Sequence, residues 1–167
     1  MKKVMTIISA IVICSLVSCS YDSGKAFKYN DELVGQQVAI NNKIERLFDS
    51  FKTHVPEEMD TAYSNAVLRL KEGTDSVSKM DAFDGKTDLR DATLDLFKVY
   101  QSVLDNEFKE IIGINKLPDD QYTKEKENRC KDLEDQIMHK IDIGLAKLNI
   151  VQEEYMKQNK LDLEKTK

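Results

Sequence analysis

Four side chains in this chain are the best suited to chemistry, His54, His139, Cys130 and Cys19, and the spacing around each decides what it could do. A metal centre built inside helices draws on inward glutamates and a Glu-x-x-His pair from each of two helices. His54 and His139 are the only histidines, and three residues before them stand Phe51 and Gln136, so neither completes the pattern. The HExxH zinc helix needs two histidines four apart, which this chain lacks. Asp135 stands four residues before His139, but two ligands make a poor metal site, and the pair reads as an ion pair holding the ring. A Cys-His nucleophile would need Cys130 to meet a histidine. His139 is nine residues along the same helix, about 13 Å of rise, which leaves only His54, beside Pro56 in a loop. Cys130 falls on an apolar stripe and so reads as a buried, inert thiol rather than a reactive one. The 30 carboxylates come with no apolar pocket legible around them, and the six glycines form no phosphate loop. The residues thus point to no catalytic group, no cofactor and no metal ligand.

The elements that would position these groups are helical. Pro occurs only at Pro56 and Pro118, no stretch alternates as a strand would, and apolar residues recur at threes and fours in four segments. The first helix is expected from Tyr29 or Asn30, with Asn30 as its cap and Leu33, Val34, Val38, Ile40, Ile44, Leu47, Phe48 and Phe51 on one side. Pro56 suits a first helical turn, and Glu57, Glu58 and Asp60 suit the positive end of that helix. Its stripe is Met59, Tyr63, Ala66, Leu70, Gly73, Val77 and Met80, with a possible kink at Gly73. The stretch from Asp81 to Asp88, with Gly85, separates it from a third helix carrying Leu89, Leu96, Phe97, Tyr100, Val103, Leu104, Phe108 and Ile111 and ending near Gly113. A last helix running to about Lys160 carries Cys130, Leu133, Ile137, Ile141, Leu145, Leu148, Val151 and Tyr155. Acid-first pairs four apart, Asp105 with Lys109, Glu125 with Arg129, Glu127 with Lys131 and Glu153 with Lys157, mark solvated faces. Short loops between four amphipathic helices predict an all-α, antiparallel up-and-down four-helix bundle.

Cys19 has a different context. Lys2 and Lys3 precede an apolar run from Val4 to Val17, which as a helix would span only about 21 Å, short of the roughly 20 residues a bilayer requires. That is the design of a signal peptide. Leu16-Val17-Ser18-Cys19 resembles the lipobox of bacterial lipoproteins, which implies cleavage between Ser18 and Cys19 and acylation of Cys19. Two or more acyl chains, palmitate among them, give stable membrane attachment. Cleavage removes Lys2 and Lys3 from 25 basic residues and leaves 23 against 30 acidic ones, a net charge of about −7 that argues against nucleic acid as a partner. With Cys14 lost and Cys19 acylated, only Cys130 remains and no internal disulfide can form. The chain divides into a signal over residues 1–18, a lipidated tether over 19–28, a bundle over 29–160 and a polar tail over 161–167.

The segment FDGKTDLRDATLDLFKVYQSVLDNEFKEI from Phe83 to Ile111, with YNDELVGQQVAI from Tyr29 to Ile40, resembles a family of helical surface lipoproteins of Bacteroidetes and spirochaetes. The resemblance implies a four-helix lipoprotein and supplies no catalytic or ligand residue. Within the segment Thr87 or Asp88 can cap the third helix, and Arg90, near Asp88 and Asp91, either organises that helix end or is simply solvated. The expectation is therefore a non-enzymatic, lipid-anchored envelope protein that binds a protein partner or acts as a spacer, with a carrier of an apolar ligand or lipid as the alternative. Ser20, where an inner-membrane retention signal would place aspartate, favours the outer membrane and leaves exposure at the cell surface open.

Overall fold

Apolar residues spaced by threes and fours give each helix one stripe, and in the computed structural model, which describes residues 23–161, the stripes meet in a single core. The described residues are all-α, with no strand beyond one isolated bridge. Helix α1 (Ser23–Phe51) packs beside α2 (Pro56–Ser78), α2 beside α3 (Asp88–Val103), and α3 beside α5 (Lys124–Gln158). A π-helical turn (Leu104–Phe108) and α4 (Lys109–Asn115) continue α3 as one rod, so four rods form the bundle. The Tyr155 hydroxyl donates to the Ala26 carbonyl (3.0 Å) and Gln152 to Asn30 (2.8 Å), which sets the end of α5 beside the start of α1, the antiparallel arrangement. No described helix is long and apolar enough to cross a membrane.

Helix α1 begins at Ser23, ahead of the expected Tyr29 or Asn30, and takes up part of the segment assigned to a tether. The cause is tertiary: Ala26 is fully buried against α5 and its carbonyl takes the Tyr155 bond, which holds a turn that Gly24 would otherwise loosen. Val38, expected in the stripe, is half exposed, because it sits two residues and therefore about 200° from fully buried Ile40. Val55 is extended (φ −99°, ψ 110°) before Pro56, as a residue preceding proline prefers, and Glu57 and Glu58 occupy the first turn of α2.

Helix α2 is continuous through Gly73, where the sequence suggested a kink. The glycine serves close approach instead: a Cβ there would lie 2.8 Å from Ile40 Cδ1. Gly144 on α5 plays the same part, with a Cβ falling 2.9 Å from Leu96 Cδ1. Adding a methyl at Gly144 gains about 1 kcal/mol of helix propensity but overpacks a buried contact at a cost of about 1–3 kcal/mol. Gly144→Ala is expected to lower stability, while Gly113→Ala, which meets nothing within 4 Å, should raise it by about 0.5–1 kcal/mol. Denaturant unfolding of the two variants measures the contrast, and a stabilised Gly144→Ala would contradict the close packing.

The third rod ends at Asn115, near the expected Gly113, and its π turn has no sequence expectation behind it. Buried positions on it step by four, Leu96, Tyr100, Leu104, Phe108 and Ile112. In a regular α-helix such a stripe drifts by about 40° per step, and one wide turn takes up the drift. Tyr100, fully buried, donates its hydroxyl to Asn41 Oδ1 across the core. Burial pushes its phenol up to about 12. The fold favours the protonated form, so this contribution is complete below the usual phenol value of 10.0 and is lost as pH rises through about 12. A tyrosinate absorbance titration should show a last phenol ionising at about 12 that disappears in Tyr100→Phe, above the Tyr29 and Tyr122 phenols, which burial also raises; a final step unchanged in Tyr100→Phe would contradict it.

Helix α5 starts at Lys124, where Thr123 accepts from the Lys126 N–H (3.4 Å), and its 35 residues span about 52 Å. Of the four expected surface pairs, Asp105 with Lys109 (3.1 Å), Glu127 with Lys131 (2.7 Å) and Glu153 with Lys157 (3.8 Å) form. Arg129 turns away from Glu125 and grips Glu110 of α4 through two bonds (2.7 and 3.0 Å), a fork geometry that a single carboxylate on the neighbouring rod satisfies better.

Candidate functional site

The best-formed cleft is built at the end of the bundle where α1 begins and α5 ends. Its keystone is the Phe83-Asp84-Gly85-Lys86 turn. Phe83 and Lys86 exchange both backbone hydrogen bonds at 2.9 Å, and the two residues between them have positive φ (49° at Asp84, 74° at Gly85). Asp-Gly is the pair that such a two-residue turn favours, because it tolerates left-handed backbone at both positions. The tight turn fixes the Phe83 ring against Tyr29 of α1 (centroids 5.4 Å apart) and Tyr155 of α5 (5.6 Å), while Tyr29 and Tyr155 are 6.0 Å apart. Three rings from distant parts of the chain therefore touch one another.

Beside this triangle opens a cleft of about 440 Å³. Its floor is apolar, with Leu89 and Val151 beside the rings, and its rim carries Asp84, Asp88, Glu154 and a single cation, Lys86, whose ammonium donates to Gln158 (2.8 Å). The Tyr29 hydroxyl oxygen is buried and has no hydrogen-bond partner among the described residues. Burial pushes its phenol up, with the Arg90 guanidinium opposing that rise. Arg90 itself is committed: one N–H reaches the Met80 carbonyl past the end of α2 (2.9 Å) and another reaches Asp91 (3.0 Å). The solvated alternative for Arg90 is thus overturned, and the carbonyl it finds, ten residues back, lay beyond any local pattern. Neither cap works as expected, since the Thr87 hydroxyl bonds the Asp91 carboxylate (2.6 Å) instead of a backbone N–H. That bond, then Arg90, holds the Asp91 carboxyl below the usual range.

No family model, curated protein or solved structure matches this chain.

The residues singled out from the sequence are scattered. Ser18 and Cys19 lie outside the described residues. Cys130 is buried, as expected, and its thiol is pushed up chiefly by that burial; the Asn115 amide lies 3.8 Å from its Sγ. His54 sits exposed in the α1–α2 loop with φ 53°, and His139 is exposed on α5. No hydrogen bond joins either histidine to Cys130 among the described residues, and Asp135 and His139, both exposed on α5, do not form the expected ion pair. Among the described residues no group of three or more His, Cys, Asp and Glu could hold a metal ion. The cleft lining holds carboxylates, amides, phenols and the Lys86 ammonium, and no cysteine, serine, threonine or histidine. Sequence reading placed Tyr155 on the apolar stripe of the last helix and gave Phe83 only as the start of a segment; nothing local showed that they meet Tyr29.

Proposed function

We propose that the protein is a bacterial envelope lipoprotein anchored through an acylated Cys19, whose four-helix domain is a non-enzymatic binding or spacer module. The observation that carries this reading is Leu16-Val17-Ser18-Cys19 directly after a charged start and an apolar run too short to span a bilayer. Helix α1 begins only four residues past Cys19, a distance of at most about 14 Å even when extended. Anchoring there holds the cleft end of the bundle close to the lipid headgroups. The acidic chain would be repelled by anionic lipid, so attachment rests on acyl chains worth about 0.8 kcal/mol per buried methylene. The resemblance of Phe83 to Ile111 to helical surface lipoproteins agrees with this reading, and Ser20 favours the outer membrane, with exposure at the cell surface as its extension.

A carrier of an apolar ligand within the bundle is the weaker reading, because Phe97, Tyr100 and Phe108 fill its axis. The anchor is tested by growing cells on alkyne-palmitate. The wild-type chain should take up label and Cys19→Ala should take up none; label that survives the substitution would contradict the proposal.

A further inference from the structure

We propose that the cleft beside Tyr29, Phe83 and Tyr155 binds a small organic ammonium ion, the chemistry of a choline or trimethylamine group. The proposal stands on the cleft alone and does not depend on the anchor at Cys19. The charge on the rim decides the sign of the ligand: Asp84, Asp88 and Glu154 face one cation, Lys86, and that cation is already engaged with Gln158. An anion would meet three carboxylates. A neutral apolar molecule would displace water from those carboxylates and give nothing back.

The aromatic walls decide the type of cation. A bare metal ion would need several converging oxygens, whereas an alkylated ammonium gains from ring faces within about 6 Å and from apolar contact for its methyl groups. Leu89 and Val151 supply that contact at the floor. Centroid distances of 5.4 to 6.0 Å mean that the three rings already touch, so the ion does not enter the middle of the triangle. It seats on the ring surfaces turned toward the cleft, with the carboxylates around it. The unpartnered Tyr29 hydroxyl is a second sign that this end is not arranged for stability alone, since a buried hydroxyl without a partner is costly to the fold.

Ligand-observed NMR on the full chain in maltoside detergent tests the proposal, with choline and its uncharged carbon isostere 3,3-dimethylbutan-1-ol as probes. The expected result is saturable choline binding at least tenfold tighter than that of the alcohol. Binding should weaken at least fivefold in Glu154→Gln, an exposed position whose loss leaves the fold intact, and be unchanged in Glu58→Gln, which lines a separate groove between α1 and α2. Phe83→Ala, checked for helical content by circular dichroism, should weaken it further. Equal affinity for choline and the alcohol, absence of saturation, or choline binding indifferent to Glu154→Gln would each overturn the proposal.

Discussion

Replacing Phe108 with alanine is expected to remove about 3–5 kcal/mol of stability, the largest loss from any single truncation at the end of the bundle opposite the cleft. Phe108 is fully buried in the π turn and meets Phe48 edge-on (centroids 4.9 Å apart, 63° between planes), with Phe51 at 6.2 Å. The deletion therefore loses the transfer free energy of the ring, opens a cavity and breaks two aromatic contacts, each worth about 0.5–1.5 kcal/mol and overlapping with the first two effects. A domain of this size holds about 5–15 kcal/mol in all, so the variant should melt roughly 10 °C or more lower. Phe27→Ala, a ring 44 % exposed on α1, should change stability by less than about 1 kcal/mol. Thermal and denaturant unfolding of the pair give the comparison, and a loss below about 1 kcal/mol in Phe108→Ala would contradict the packing of the π turn.

The second large effect concerns the carboxylate that the π turn buries. Glu107 is 8 % exposed at its side chain and pairs through Oε1 with Lys140 of α5, while Oε2 is buried with no partner among the described residues. Arg129 lies within Coulombic reach, so the carboxylate keeps some compensation if Lys140 is lost. Breaking a buried pair by removing one partner costs about 3–5 kcal/mol, but the Lys140 side chain is 42 % exposed and solvent screens the attraction, which brings the expectation for Lys140→Met to about 1–3 kcal/mol. Replacing both partners by apolar residues removes the stranded charge. Lys140→Met should therefore cost little in the Glu107→Leu background, with a coupling of about 1–2 kcal/mol in the double-mutant cycle. Additive losses would mean that the pair contributes nothing as a pair.

Most of the fold could be read from spacing, and the exceptions share a cause. Met59, Ala66, Leu70 and Val77, or Leu133, Ile137, Ile141 and Leu148, face the core because a helix repeats every 3.6 residues, a rule internal to each element. The start of α1 could not be read in that way, because Ser23 to Lys28 are helical through Tyr155, more than a hundred residues away. The π turn escaped notice because its stripe differs from an α stripe by a slow drift that only the finished packing makes necessary. The Asp135–His139 spacing was right for a pair, yet spacing of four places two side chains on the same face without saying whether they reach each other. The cleft is the extreme case. Asp84-Gly85 announced a turn, but positions 29, 83 and 155 become one site only through which helix ends meet. Arg90 shows the same limit, since its partner is the Met80 carbonyl and backbone atoms leave no trace in residue type.

The anchor is the claim on which the envelope reading rests, and the intact mass of the protein extracted from its native host tests it most directly. The account predicts a species that begins at Cys19 and carries added acyl mass, and the absence of that species when Cys19 is replaced by alanine. A chain that retains Met1, or that begins elsewhere without lipid, would contradict the account and leave the bundle and its cleft without a membrane to serve.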